Sequence, residues 1–255
     1  VPVRNIRLTL AYDGTDFAGW QVQKNQRTVQ GVIEQALERM HGHPVRIRGA
    51  GRTDTGVHAT GQVANFPSDL DSIQGERWSL ATNSYLPPDV RVLESREAEP
   101  GFSAKESARL RVYAYYLLPA QIGPPHLRRF CWKILRRPNM EALNRLAAVF
   151  VGEHDFTTFA AAGDSSRSKV RRVLSSCFYP EGPFLVFRIA ATSFVWKMVR
   201  SLLGTMLEYE AEGRPPAELA QALAARERAQ AGSSAPARGL FLERVVYDGE
   251  ELFPL

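Results

Sequence analysis

Between Gly49 and Ala59 the chain reads Gly-Ala-Gly-Arg-Thr-Asp-Thr-Gly-Val-His-Ala, and no other run limits the possible folds as much. Three glycines, Gly49, Gly51 and Gly56, flank one arginine and one carboxylate between two segments of strand character. Having no Cβ, glycine lets a backbone turn sharply and lets another chain come close. Such a turn would hold Asp54 at the lip of a sheet. Familiar glycine-rich loops do not fit. A dinucleotide-binding loop requires a third glycine where Asp54 stands, and a phosphate loop requires lysine where Val57 stands. Asp54 and His58 are four apart, but no further ligands complete a metal site. There is no serine nucleophile elbow. Aspartate and glycine are common turn residues, so on the residues alone a plain structural turn stays open beside a catalytic one.

The hydrophobic pattern on either side mixes two periods. Ile6, Leu8, Leu10 and Tyr12 alternate with Arg7, Thr9 and Ala11, which predicts a half-buried strand ended by Asp13-Gly14. Val29, Ile33, Ala36, Leu37 and Met40 recur at helical spacing behind Thr28, a candidate N-cap. Further strands are expected at Val45–Arg48, near Gln62–Phe66, and at Val90–Ser95, Leu110–Leu118, Val170–Tyr179, Phe184–Ala191 and Leu240–Tyr247. Helices are expected over Trp78–Tyr85, Asn139–Val151, Phe194–Leu207 and Ala217–Arg228, and a flexible loop over Gly232–Pro236. Within Leu110–Leu118, Arg111, Tyr113 and Tyr115 share one face. The mixture, with hairpin-like strand pairs, indicates an α+β protein with a mostly antiparallel mixed sheet flanked by helices. The natural division falls near Glu99–Lys105, giving domains 1–104 and 105–255.

Composition narrows the function classes. With 255 residues, 44% of them hydrophobic, the chain can bury a real core. The net charge of +5 is mild, but the basic residues are clustered. Lys105, Arg109, Arg111, Arg128, Arg129, Lys133, Arg136 and Arg137 are opposed only by Glu106, and Arg167, Lys169, Arg171 and Arg172 form a second group. Together they resemble a footprint for phosphates. Two cysteines, Cys131 and Cys177, are in no metal or redox spacing, which argues for a reduced compartment. Val1-Pro2-Val3-Arg4 has no signal-peptide character, and no uncharged apolar stretch approaches the ~18–20 residues of a membrane span. A cytoplasmic protein is expected. His41 and His43 are expected on the surface.

Gly51-Arg52-Thr53-Asp54-Thr55-Gly56-Val57-His58-Ala59 resembles the signature around the catalytic aspartate of TruA-type tRNA pseudouridine synthases. The resemblance extends in order over most of the chain. It includes Tyr12-Asp13-Gly14-Thr15-Asp16-Phe17-Ala18-Gly19-Trp20-Gln21, Gly61-Gln62-Val63, Arg111-Val112-Tyr113-Ala114-Tyr115, Gly152–Phe159 and Phe194–Arg200. One stretch departs: where the family often has His-Ala-Arg-Phe, this chain has Ser103-Ala104-Lys105-Glu106 after Phe102. That difference bears on RNA contacts rather than on chemistry.

The resemblance implies a two-domain fold with the active-site cleft between domains. It implies conversion of uridine to pseudouridine at positions 38, 39 and 40 of tRNA, by a homodimer, with no cofactor and no metal. Asp54 would be the catalytic carboxylate, Arg200 its partner and Tyr113 the ring that stacks on the freed uracil. Arg52 would fill the space of the everted base or hold its phosphate, and Lys105, Arg111, Arg167 and Lys169 could contact the tRNA backbone. The carboxylate could add to C1′, add to the uracil ring or remove a C2′ proton; the sequence does not choose. Two other classes compete. A non-catalytic RNA-binding module explains the basic clusters but not a glycine-framed carboxylate. A nucleoside or glycoside hydrolase would pair two carboxylates, and no spacing marks a second.

Overall fold

The computed structural model describes residues 3–250. Val1 and Pro2, where the leader question begins, lie outside them. In chain order the elements are β1 (Arg4–Tyr12), α1 (Val29–His41), β2 (Arg48–Gly49), β3 (His58–Ser68), α2 (Trp78–Asn83), β4 (Val90–Glu97) and β5 (Leu110–Pro119). There follow β6 (Trp132–Ile134), α3 (Met140–Ala148), β7 (Gly152–Asp155), β8 (Val170–Glu181), β9 (Phe184–Ala191), α4 (Met198–Glu212), α5 (Pro216–Ala225) and β10 (Leu240–Val246). The chain forms two compact units: one built by residues up to Arg111 together with the segment from Phe241 on, the other by Val112–Leu240. Both are α+β, and most of the strand pairings are antiparallel.

In the first unit the strands run in the order β4-β1-β3-β10, with β2 beside β3. β1 lies antiparallel to both neighbours, and β10 returns parallel to β3, pairing Phe241 with His58. The alternation of β1 buries Ile6, Leu8, Leu10 and Tyr12 as expected, and Arg7 is buried too. Its guanidinium lies over the Tyr247 ring, 4.3 Å from the centroid, and pairs with Glu250. Helix α1 begins at Thr28, whose hydroxyl accepts the Gly31 N–H, and it buries Ile33, Ala36 and Leu37. Val45 and Ile47 are buried, but the strand expected there reduces to Arg48–Gly49; the apolar spacing recorded burial, not pairing.

His41 departs from expectation. Its side chain is fully buried, stacked on Trp78 and hydrogen-bonded to the Leu37 carbonyl and the Ser68 hydroxyl. A polar ring at a helix end can be buried once both nitrogens have partners, and sequence spacing does not reveal those partners. His43 is exposed, against Asp69.

In the second unit β5-β9-β8-β7 are adjacent in that order, with β6 parallel to β5. Val112, Tyr113, Ala114 and Tyr115 are all buried, so both faces of β5 are covered rather than one. Helix α3 starts at the Asn139 cap and ends at Ala148, three residues earlier than expected. Helix α4 starts later than expected and runs further. The Trp196 N–H is held by the Asp164 carboxylate and Lys197 takes φ +62°, so regular helix begins at Met198; it ends at Glu212, where Gly213 turns left-handed as the cap. Helix α5 stops at Ala225 because Arg226 turns left-handed, with φ +58°. Gly232–Pro236 is irregular as expected, but it is fastened to α4: the Gly232, Ser233 and Ala235 N–H groups donate to Thr205, Glu208 and the Arg200 carbonyl. No helix among the described residues is long and apolar enough to cross a membrane.

Candidate active site

Asp54 begins a four-residue turn between β2 and β3. The Val57 N–H closes it onto the Asp54 carbonyl at 3.1 Å. Gly56 takes φ +75° at the third position, where a side chain would be strained. Asp54 is half-buried, between buried Thr53 and exposed Thr55. The carboxylate is therefore neither sunk in hydrocarbon nor free on a surface loop. Arg52, two residues earlier, is exposed.

The turn is anchored on every side by the first unit. The Ala50 N–H donates to the Val63 carbonyl at 2.8 Å, and the buried Gln62 amide donates to the Gly51 carbonyl at 2.8 Å. Arg111 donates to the Ala50 carbonyl at 2.9 Å and to the Lys105 carbonyl at 2.8 Å. Arg111 thus meets the Asp54 turn with its guanidinium, whereas the Lys105 carbonyl bonds to Arg111 and not to the turn. The Lys105 side chain itself is exposed, 3.9 Å from Glu106.

The segment from Tyr12 to Trp20, for which the residues alone gave no role, forms the other wall. The Trp20 N–H donates to the Thr53 carbonyl at 3.0 Å, and the Gly56 N–H reaches the Phe17 carbonyl at 3.4 Å. The Tyr12 hydroxyl bonds to the Thr53 hydroxyl at 2.9 Å. Burial pushes the Tyr12 phenol pKa up, against the opposing hydrogen bonds of Thr53 and Gln62, so it stays protonated. Close approach explains two glycines. A Cβ on Gly14 would lie 2.0 Å from the Val57 carbonyl oxygen, and one on Gly49 would lie 2.6 Å from the Trp20 ring. Gly51 is different: a Cβ there would meet nothing within 4 Å.

His58 is a second residue whose role spacing did not reveal. It is fully buried and lies flat on Phe241, with ring centroids 4.6 Å apart. Its Nδ1 accepts the Gly14 N–H at 3.0 Å. Asp13 Oδ1 is 3.2 Å from the same nitrogen. One signal for these anchors was available: Tyr12 is in phase with Ile6, Leu8 and Leu10, and a buried tyrosine needs a partner for its hydroxyl.

The second unit holds the other candidates. Tyr113, on β5, is 8% exposed and meets Phe194 edge to face at 5.0 Å. Arg200, on the first turn of α4, is half-buried and donates from Nε to the Ala235 carbonyl at 2.7 Å. Arg167 is exposed. Lys169 pairs with Asp164 and donates to the Asp164 and Ser166 carbonyls at 2.8 and 3.1 Å. Burial alone would push the Asp164 carboxyl up, but Lys169 and the Trp196 and Ser166 N–H groups outweigh it and hold the carboxyl well below its usual range.

The sequence that builds this scaffold matches a known family. The tRNA pseudouridine synthase profile matches residues 9–101 and 146–248, and the chain belongs to that family of isomerases. Three relatives are each called tRNA pseudouridine synthase A. That of Treponema denticola is 41% identical over 249 residues, covering 96% of this chain and 93% of the relative. That of Moorella thermoacetica is 42% identical over 244 residues, covering 95% and 99%. That of Geobacillus kaustophilus is 40% identical over 248 residues, covering 97% and 96%.

Proposed function

We propose that the protein converts uridine to pseudouridine in the anticodon stem-loop of tRNA, at positions 38, 39 and 40, with Asp54 as the essential carboxylate. One observation carries this reading: Asp54 is half-buried on a turn anchored by Trp20, Tyr12, Gln62 and Arg111. A carboxylate so fixed is pre-positioned for an incoming sugar, and its geometry costs nothing further at the moment of reaction.

The isomerisation breaks the C1′–N1 bond and joins C1′ to C5. C5 loses a proton and N1 gains one, so no oxidant, reductant or cofactor enters the balance. Asp54 acts at the sugar–base bond, which requires the uridine to leave its stack. Eversion costs a few kcal/mol, least in a loop or at a helix end. Tyr113 supports the detached uracil by stacking, and its hydroxyl serves proton removal from C5. Arg52 occupies the vacated stack or holds the flanking phosphate, and Arg200 binds substrate. Lys105 and Arg167, both exposed, contact the tRNA backbone. Arg111 and Lys169 contribute through the loops they brace. The protein acts as a homodimer that shares one tRNA, a reading supported by the family resemblance alone.

The test uses tRNA tritiated at uracil C5, with pseudouridine mapped in the product. Wild type should release tritium, and Asp54→Asn of unchanged circular dichroism should release none. Equal release by both would remove Asp54 from the chemistry. Free uracil among the products would replace isomerisation by hydrolysis.

A further inference from the structure

The second unit contains a pocket of about 190 Å³ that the proposed chemistry does not use, lined by Phe159, Lys197, Ser201, Arg228 and Ser234 among others. It opens at the N-terminus of α4. Lys197 is the N-cap residue there, and no side chain caps the helix. The first-turn N–H groups of a helix carry partial positive charge and favour an anion. Lys197 also holds φ +62°, a conformation uncommon for a residue with a Cβ and one often kept at functional sites.

A second observation is independent of the helix end. Ser201 is 1% exposed, and its Oγ has no hydrogen-bond partner among the described residues. A buried hydroxyl without a partner is unfavourable until something accepts its proton. None of the seven lining residues is acidic. The opposite wall is fixed: the Arg228 guanidinium donates to the Ala231 carbonyl at 3.0 Å, and the loop beyond it is fastened to α4 at Thr205, Glu208 and Arg200. The Arg228 side of the pocket is therefore held in place before any ligand arrives, while the Lys197 ammonium lies over the Trp196 ring, 5.0 Å from its centroid.

We propose that this pocket binds a phosphate of the substrate RNA backbone, an inference that rests on the reading of the chain as a tRNA-modifying enzyme. Lys197 and Arg228 neutralise the phosphate, and the Ser201 and Ser234 hydroxyls donate to its oxygens. The site fixes the register of the RNA without reading its sequence.

Binding of tRNA is measured against salt for wild type, Lys197→Ala, Arg228→Ala and Ser201→Ala. Each charge removal should weaken binding about tenfold and lower the slope of log K against log salt by about one. Ser201→Ala should weaken binding severalfold with the slope retained and the Tm not lowered, because the hydroxyl it removes is unpaired in the free protein. Wild-type affinity and slope in the three variants would overturn the proposal, as would a Ser201→Ala protein that loses Tm but binds normally. Inorganic phosphate that raises the Tm of wild type but not of the Lys197→Ala, Arg228→Ala double variant, with tRNA binding unchanged, would assign the pocket to free phosphate instead. Pseudouridine formation by wild type is scored in parallel. Its presence with unaffected variants rejects the pocket alone, and its absence rejects the reading on which the pocket rests.

Discussion

The hydroxyl oxygens of Tyr12 and Thr53 lie 2.9 Å apart in the buried layer that immediately precedes Asp54 in the turn. Tyr12→Phe leaves the Thr53 hydroxyl without this partner, at a cost of about 1–2 kcal/mol. The expected outcome is a matching loss in denaturant unfolding, together with a fall in kcat that exceeds any rise in KM for tRNA. If Tyr12→Phe and Thr53→Val show additive effects on stability, the two groups are not coupled and the anchor is elsewhere.

Gly14 and Gly51 belong to the same neighbourhood and should respond oppositely to alanine. A Cβ at Gly14 would press on the Val57 carbonyl at 2.0 Å, a backbone group that cannot swing aside, so Gly14→Ala should cost about 1–3 kcal/mol. At Gly51 nothing lies within 4 Å, so Gly51→Ala should be neutral or should stabilise by about 0.4–1 kcal/mol. Because that space lies beside Arg52, Gly51→Ala should nonetheless raise KM for tRNA. Thermal unfolding and steady-state tritium release, measured on both variants, check the pair.

Tyr113→Phe keeps the ring against Phe194 and removes only the hydroxyl. Turnover should fall far more than tRNA affinity. A normal rate in single-turnover assays would contradict a role for the hydroxyl in removing the C5 proton.

Asp164 predicts a pH dependence. Its carboxyl sits below its ordinary value of 3.8 in the folded protein, so the unfolded chain takes up the proton at higher pH than the native one. The resulting stability is fully present above the ordinary aspartate range and declines as pH falls from about 4 toward the depressed value. Asp164→Asn should cost about 1.5–3 kcal/mol at neutral pH, the scale of hydrogen bonds to a charged group. It should also flatten the acid limb of a stability–pH curve. An unchanged acid limb would show that Asp164 is not its source.

What could be read from the residues follows a physical line. The period-two run of β1 and the Thr28 cap of α1 are local signals, and both elements form where they are expected. The Asp54 turn is local as well, because a carboxylate among three glycines advertises itself within eight residues. The anchors of that turn are not local. Tyr12, Trp20 and Arg111 reach it from distant sequence, and no window of residues contains the contact. The same holds for His41, whose burial depends on Trp78 and Ser68. Helix boundaries failed for a related reason. The start of α4 is set by a carboxylate on another loop, Asp164, rather than by the apolar run that begins at Phe194.

The parallel return of β10 beside β3 has a consequence for how the enzyme is made. Phe241, the flat partner of buried His58, follows it in the chain by 183 positions (241 minus 58). Translation therefore delivers Asp54 and its glycines long before the strand that covers the base of their turn. Nascent chains carry Asp54 in an unfinished setting, and folding of the first unit waits until Phe241 has been made. Competence should then appear in one step, once Phe241 can pair with His58, and a ribosome stalled before Phe241 should hold an inactive chain.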